Sequence, residues 1–360
     1  MRLFHGFLFF ALGFSLFAIA PLTGQTAPPP EPQSLHKPEQ IFAAAAPFYD
    51  FSSASLKPWH LTASYQLYDP NGQPSERGTW EYWWASPTLY RSTWTRGSST
   101  RSEWHTADGK IIESASGENL HFLEVNLPEN LFAPLPKPDV YDPAKTWLDR
   151  ETVPLGNSKA ACVRVVRKSM PPILGQPQSR IQLITYCFDP KVPALILAVD
   201  ALSGITSAYG DFIQMQGRYL ARSFAETVNN RKLLTITVDA VSALGANDSA
   251  LSPPAHPQGD ALPVVNVAYD SMTNHALKTP VPNFYPSMAR QKMLSGTVLV
   301  EARIGVDGKV EGAQVISSPG TPLTNAAEEA ISHWEYKPYL QNGSPTEVIT
   351  EIEMVYKLGS

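Results

Sequence analysis

Ser295-Gly296-Thr297-Val298-Leu299-Val300-Glu301-Ala302-Arg303-Ile304 runs into Val306-Asp307-Gly308 and then into Lys309 to Ser317. Val298, Val300, Ala302 and Ile304 fall on one face of an extended chain, and an Asp-Gly pair between two alternating runs predicts a tight hairpin, because Gly supplies the positive φ such turns need. Just downstream, Leu323, Ala326, Ala327, Ala330, Ile331 and Trp334 recur at helical spacing, with Thr321 as the expected cap and Pro322 at the first position. After an Asn342-Gly343 turn, Val348, Ile352, Met354, Tyr356 and Leu358 predict the core face of a closing strand. Upstream, Tyr285 to Lys292 predicts a short polar helix. Residues 276–360 are therefore expected to form a hairpin, a packed helix and a final strand.

Working outward, residues 248–275 hold Pro253, Pro254, Pro257 and Pro263 among Ser, Asp and Gly, which predicts a linker. Residues 51–247 change period to two: Trp59, Leu61, Ala63, Tyr65 and Leu67 alternate with polar neighbours, and Trp80, Tyr82 and Trp84 share a face. An antiparallel meander follows from such runs, and with the C-terminal module the fold class is α+β: an antiparallel, β-rich N-terminal domain and a small hairpin/helix/strand domain. Six of the eight Trp lie between positions 59 and 104, either as a core of large rings or as a lining for an apolar ligand. Helical patterning in this domain is confined to Glu118–Leu131. Residues 25–50, with Pro28, Pro29, Pro30, Pro32, Pro38 and Pro47, predict a second tether.

Residues 1–24 begin with Met1-Arg2 and carry a fourteen-residue apolar run, Phe7 to Ala20. That length suits an export signal better than a spanning helix of ~20 residues, so the chain is expected in the periplasm, either with the segment cleaved or held at the inner membrane through residues 3–20. The two cysteines, Cys162 and Cys187, each sit in an apolar run, and Pro171, Pro172, Gly175 and Pro177 lie between them. Two strands joined by a long hairpin loop would bring both thiols into bonding range in an oxidising compartment; two buried free thiols are the alternative. With a net charge of -5 and only 17% charged residues, there is no basic footprint for nucleic acid. No Gly-rich phosphate loop, nucleophile elbow or paired-His metal spacing is present, and the eight His are scattered singly. No catalytic residue, metal or cofactor is expected.

Tyr285-Pro286, Ala289, Gly296, Asp307-Gly308, Ser317, Leu323, Ala326-Ala327, Ala330 and Trp334-x-Tyr336-x-Pro338, in this order and at these intervals, resemble the C-terminal domain of the TonB family. The resemblance covers about 85 of the 360 residues. It implies binding of a short extended segment, the TonB box, of an outer-membrane TonB-dependent receptor by strand addition at a sheet edge. By position that edge is the final strand, with Thr350 on it and Glu347, Ile349, Glu351, Glu353 and Val355 on its outer face; a plain solvated strand would show the same polar face. The family also implies inner-membrane proton-driven motor proteins as partners, yet a domain of about 200 residues stands where a long spacer belongs. In the β domain, Tyr90-Arg91 after Pro87, Tyr186-Cys187-Phe188-Asp189 and Tyr209-Gly210-Asp211-Phe212 resemble the half-barrel of LolA-like lipoprotein carriers, which implies an apolar ligand as the alternative function.

Overall fold

The computed structural model describes residues 29–358 except 70–71, 119, 137–145, 169–179, 201–203, 229, 246, 256–264, 268–276, 280–283 and 342. The expected export or anchor segment, residues 1–24, and most of the hairpin loop between the cysteines lie outside the described residues. No described helix is long and apolar enough to cross a membrane.

The alternating runs form one antiparallel sheet: β1 (Trp59–Tyr68), β2 (Pro74–Ser86), β3 (Leu89–Arg96), β4 (Ser99–His105), β5 (Ile111–Ser116), β6 (Thr146–Leu155), β7 (Ser158–Lys168), β8 (Arg180–Phe188), β9 (Leu195–Asp200), β10 (Ile205–Met215), β11 (Arg218–Val228) and β12 (Arg231–Ala243). Two meanders, β1 to β5 and β6 to β12, are joined edge to edge by pairing of β1 with β12. The sheet stays open, with β5 and β6 at its two ends. Strand β11 escapes the sequence pattern because Tyr219, Leu220 and Ala221 are buried in succession, which breaks the period of two.

Three helices cover the aromatic face: α1 (Pro38–Ala45), α2 (Phe122–Val125) and α3 (Leu127–Phe132). Phe132 packs on Trp59, Trp80 and Tyr82, with ring centroids 4.9 to 5.5 Å apart. The Trp cluster is thus closed over by the domain's own chain. Part of the residues expected as the first tether joins this core: Ile41, Phe42 and Ala45 of α1 are buried, and Phe42 meets the rings of Tyr186 and Phe188. Their spacing puts all three on one side of a helix, which outweighs the surrounding prolines. Cys162 and Cys187 are paired residues of β7 and β8 and form a disulfide.

The C-terminal part comprises β13 (Val265–Asn266), β14 (Leu277–Thr279), α4 (Ser287–Gln291), β15 (Gly296–Ile304), β16 (Val310–Ser317), α5 (Thr321–Ser332), β17 (Glu335–Tyr336), β18 (Leu340–Gln341), β19 (Ser344–Pro345) and β20 (Val348–Tyr356). Its main sheet has the order β13–β20–β15–β16. Leu323, Ala327, Ala330 and Ile331 of α5 pack with Val298, Val300, Ala302, Ile304, Val348 and Ile352 in one core. Two expectations need correction. Gly320, not Thr321, is the N-cap, because its extended backbone leaves its carbonyl to accept from Leu323 and Thr324. Leu358 is 47% exposed, since the last pair of the β15–β20 ladder is Gly296 with Tyr356 and the chain leaves the core there.

Candidate functional site

The hairpin that supports the site is built from the motif residues. At its tip Asp307 Oδ1 accepts from the Lys309 N–H at 3.0 Å, and Gly308 adopts φ +87°, the left-handed region that Gly enters without strain. The Gly308 carbonyl accepts from the Tyr336 N–H at 2.7 Å, so the Asp-Gly turn and the Trp334-x-Tyr336-x-Pro338 segment form one backbone junction. A side chain at 308 would collide with the Tyr336 carbonyl. At the other end of β15, Gly296 at φ +139° lies under Pro319, whose Cγ would be 2.8 Å from any added Cβ. Tyr285 donates its hydroxyl to the Leu294 carbonyl and sets its ring edge against Tyr356, with centroids 6.2 Å apart, while Pro286 caps α4. Trp334 packs edge-on to Tyr336. These residues hold the ends of β15 and β20 in place.

Strand β20 has two distinct faces and two distinct edges. Val348, Thr350, Ile352, Met354 and Tyr356 are buried, and four of them belong to the α5 core, where Thr350 is wholly enclosed between them in the alternation. The odd-numbered residues turn the other way, towards the β domain. Ile349 is buried, and further along that face Leu299 of β15, opposite Glu353, and Ile316 of β16 belong to the β-domain core. Helix α2 also packs against β20. That helix is fastened by Glu124, which accepts from the Tyr65 hydroxyl and the His121 N–H and pairs with Arg96 at 3.5 Å. Between the two parts lies a cleft of about 150 Å³ whose lining includes Leu67, Leu123, Leu233, Val315 and Ile316.

This docked face is acidic. Burial holds the Glu351 carboxyl well above its ordinary value, reinforced by Glu226 of β11, Glu301, Asp200 of β9 and Glu353. Glu347 is paired with Arg303. Val355, at the far end, is 54% exposed.

The edges follow from backbone direction. The carbonyls of Glu347 and Ile349 accept from the N–H groups of Val265 and Val267, at 3.0 and 3.1 Å, so odd-numbered backbone groups of β20 point away from β15. Even-numbered ones, Thr350 included, point into the β15 ladder. Beyond Val267 no described strand lies on the edge that carries Glu351, Glu353 and Val355. The structure therefore brings the anticipated residues into three settings: Glu347 and Ile349 under β13, Thr350 in the core, and Glu351 to Val355 along the part of the edge with no described strand beside it. The occupation of this edge by β13 went unread in the sequence; the alternating Val265-Asn266-Val267 inside the Pro-rich linker was its signal.

Residues 281–358 match the family described as Gram-negative bacterial TonB protein C-terminal. Over 75 residues the chain is 35% identical to Protein TonB of Vibrio cholerae serotype O1 (strain ATCC 39315 / El Tor Inaba N16961), a stretch that covers 21% of this chain and 31% of that protein. The chain thus spans about a third of the length of the curated relative it matches. Among solved structures, a putative outer membrane lipoprotein-sorting protein domain from Vibrio parahaemolyticus superposes with a TM-score of 0.31 at 9% identity, covering 59% of this chain and 96% of that one. A LolA superfamily protein from Nitrosomonas europaea gives 0.30 at 7% identity, covering 61% and 99%.

Proposed function

We propose that this chain takes part in TonB-dependent transport across the outer membrane, with its TonB-like module binding an extended segment of a receptor by strand addition along the Glu351–Val355 edge of β20. The observation that carries the reading is the direction of that edge: backbone groups of a regular strand face outward with no described strand beside them, within a module that matches the TonB C-terminal family. Such an edge can extend the sheet by main-chain hydrogen bonds. In this reading the protein is exported to the periplasm and works without a cofactor, and any coupling to a proton-driven motor runs through the segment N-terminal to the described residues. The carrier alternative would require the aromatic face of the β domain to be emptied, whereas Phe132 and α1 fill it.

Photocrosslinking in the native host from a reactive residue at Val355 tests the proposal. The expected product joins position 355 to the periplasm-facing N-terminal segment of an outer-membrane receptor, mapped by mass spectrometry. Products that join this position only to soluble proteins, or none at all, would overturn it. Val355→Pro removes one edge-facing N–H and leaves the even-numbered ladder to β15 intact. Its receptor-segment affinity should fall about fivefold, the equivalent of roughly 1 kcal/mol for one hydrogen bond.

A further inference from the structure

We infer that residues Val265–Val267 are a tethered occupant of the partner-binding edge, a displaceable strand that an incoming extended peptide must compete with. The inference rests on the proposed strand-addition reading and adds a regulatory contact to that same edge. Three observations carry it. First, β13 lies parallel to β20, with Val265 opposite Val348 and Asn266 opposite Ile349. The N–H groups of Val265 and Val267 donate to the Glu347 and Ile349 carbonyls, which are the edge-facing acceptors that a partner strand would use. Second, the contact includes side chains as well as backbone: Val267 is buried and belongs to the C-terminal core, and Val265 packs against that core. Third, the occupant spans two residues as a described strand, against nine in β20, so it holds the start of the edge, and among the described residues no strand lies beside the half that carries Glu351 and Val355.

A strand of two residues, with only the Val265 and Val267 side chains against the core, is weak by itself, and its persistence comes from the tether. The linker is pinned at its start, where the Ala250 carbonyl accepts from Trp104 Nε1 at 3.0 Å and Leu251 is buried. A tether of this length supplies an effective concentration in the millimolar range, enough to keep a weak strand seated. A partner that begins pairing on the open half can then zip towards Glu347 and displace the occupant. The chemistry this selects is an extended segment with apolar side chains at alternate positions, like Val265 and Val267, and free N–H groups there.

The test uses the full chain and, as probe, a synthetic peptide copying residues 262–270, Leu-Pro-Val-Val-Asn-Val-Ala-Tyr-Asp. In a Val265→Pro/Val267→Pro variant both donors are lost and the edge is vacated. The peptide is expected to bind this variant at least tenfold more tightly than the unaltered chain, whose competent state is reduced by the tethered occupant. Equal affinity for both, or no binding to the variant, would overturn the inference. Because the variant also removes a core side chain, amide hydrogen exchange on the unaltered chain is the second measurement. Val265 and Val267 should exchange by local opening, faster than Val300 in the sheet centre, and excess peptide should accelerate them. Exchange at the Val300 rate, unmoved by peptide, would mark a permanent strand and overturn the inference. The receptor result stays separable: if the peptide binds the vacated edge and no receptor segment does, the occupant stands and the transport reading falls.

Discussion

Gly308 shows how one residue joins two distant parts of the module. Its φ of +87° and its hydrogen bond from Tyr336 place the hairpin tip against the segment after α5, and any side chain there meets the Tyr336 carbonyl. Gly308→Ala is therefore expected to destabilise the TonB-like module by about 2 kcal/mol or more, read as a lower urea midpoint for the C-terminal transition. An unchanged midpoint would mean that the turn relaxes without loss. The Asp-Gly turn was legible in the sequence because its chemistry is local. Thr350, polar by composition, sits wholly buried, because the period of two it shares with Val348 and Ile352 assigns it to the core face whatever its side chain. The same alternation makes Thr350→Pro a probe of the β15 ladder and Val355→Pro a probe of the edge.

At the scale of elements, β7 and β8 form a hairpin whose connecting loop is long, and the disulfide between Cys162 and Cys187 crosses it with a sequence separation of 25. A cross-link of that span limits the unfolded chain, so Cys162→Ala/Cys187→Ala should lower the stability of the β domain by about 2 to 3 kcal/mol, measured by urea denaturation without reductant. An equal midpoint in the two proteins would show that the hairpin is fully specified by its neighbours. Both cysteines could be placed on strands from their apolar runs, but pairing in register needed the β7–β8 ladder itself. Strands β11 and β13 were hidden for opposite reasons. Consecutive burial erased the alternation of β11, and Pro-rich surroundings masked the two-residue β13, which exists only because β20 offers it acceptors.

For the whole molecule, the docking of the C-terminal sheet on the β domain is the dominant tertiary fact, and carboxyls raised by burial line it. Glu226 is buried and its carboxyl is pushed up to about 7, with burial as the main cause and the Asn130 hydrogen bond opposing it. Across the contact stand Glu351, Glu301 and Glu353, with Asp200 of β9 on the same side as Glu226 and Arg303 engaged by Glu347. A carboxyl whose value is raised in the folded state holds its proton more tightly there than in the unfolded chain. Its contribution to stability is complete below the unfolded value of ~4.3 and is lost as pH rises through the folded one. Stability should thus fall between pH 5 and pH 8 by on the order of 2 kcal/mol, and Glu226→Gln should flatten that dependence. Urea titrations of both proteins at the two pH values check this; parallel losses would assign the effect to other groups.

What the sequence determined by itself were the features that a residue and its near neighbours control: the period of two, the Asp-Gly turn, the helix of α5, and the joint spacing that marks a TonB-like module. Those depend on backbone sterics and on one apolar stripe at a time. Only the tertiary structure decided which side of β20 meets the β domain, which half of its edge is already paired, and that the Trp cluster is covered by the chain's own helices. Each of these is a contact between segments distant in sequence, where either partner could equally have met water, and local pattern carries no term for that choice.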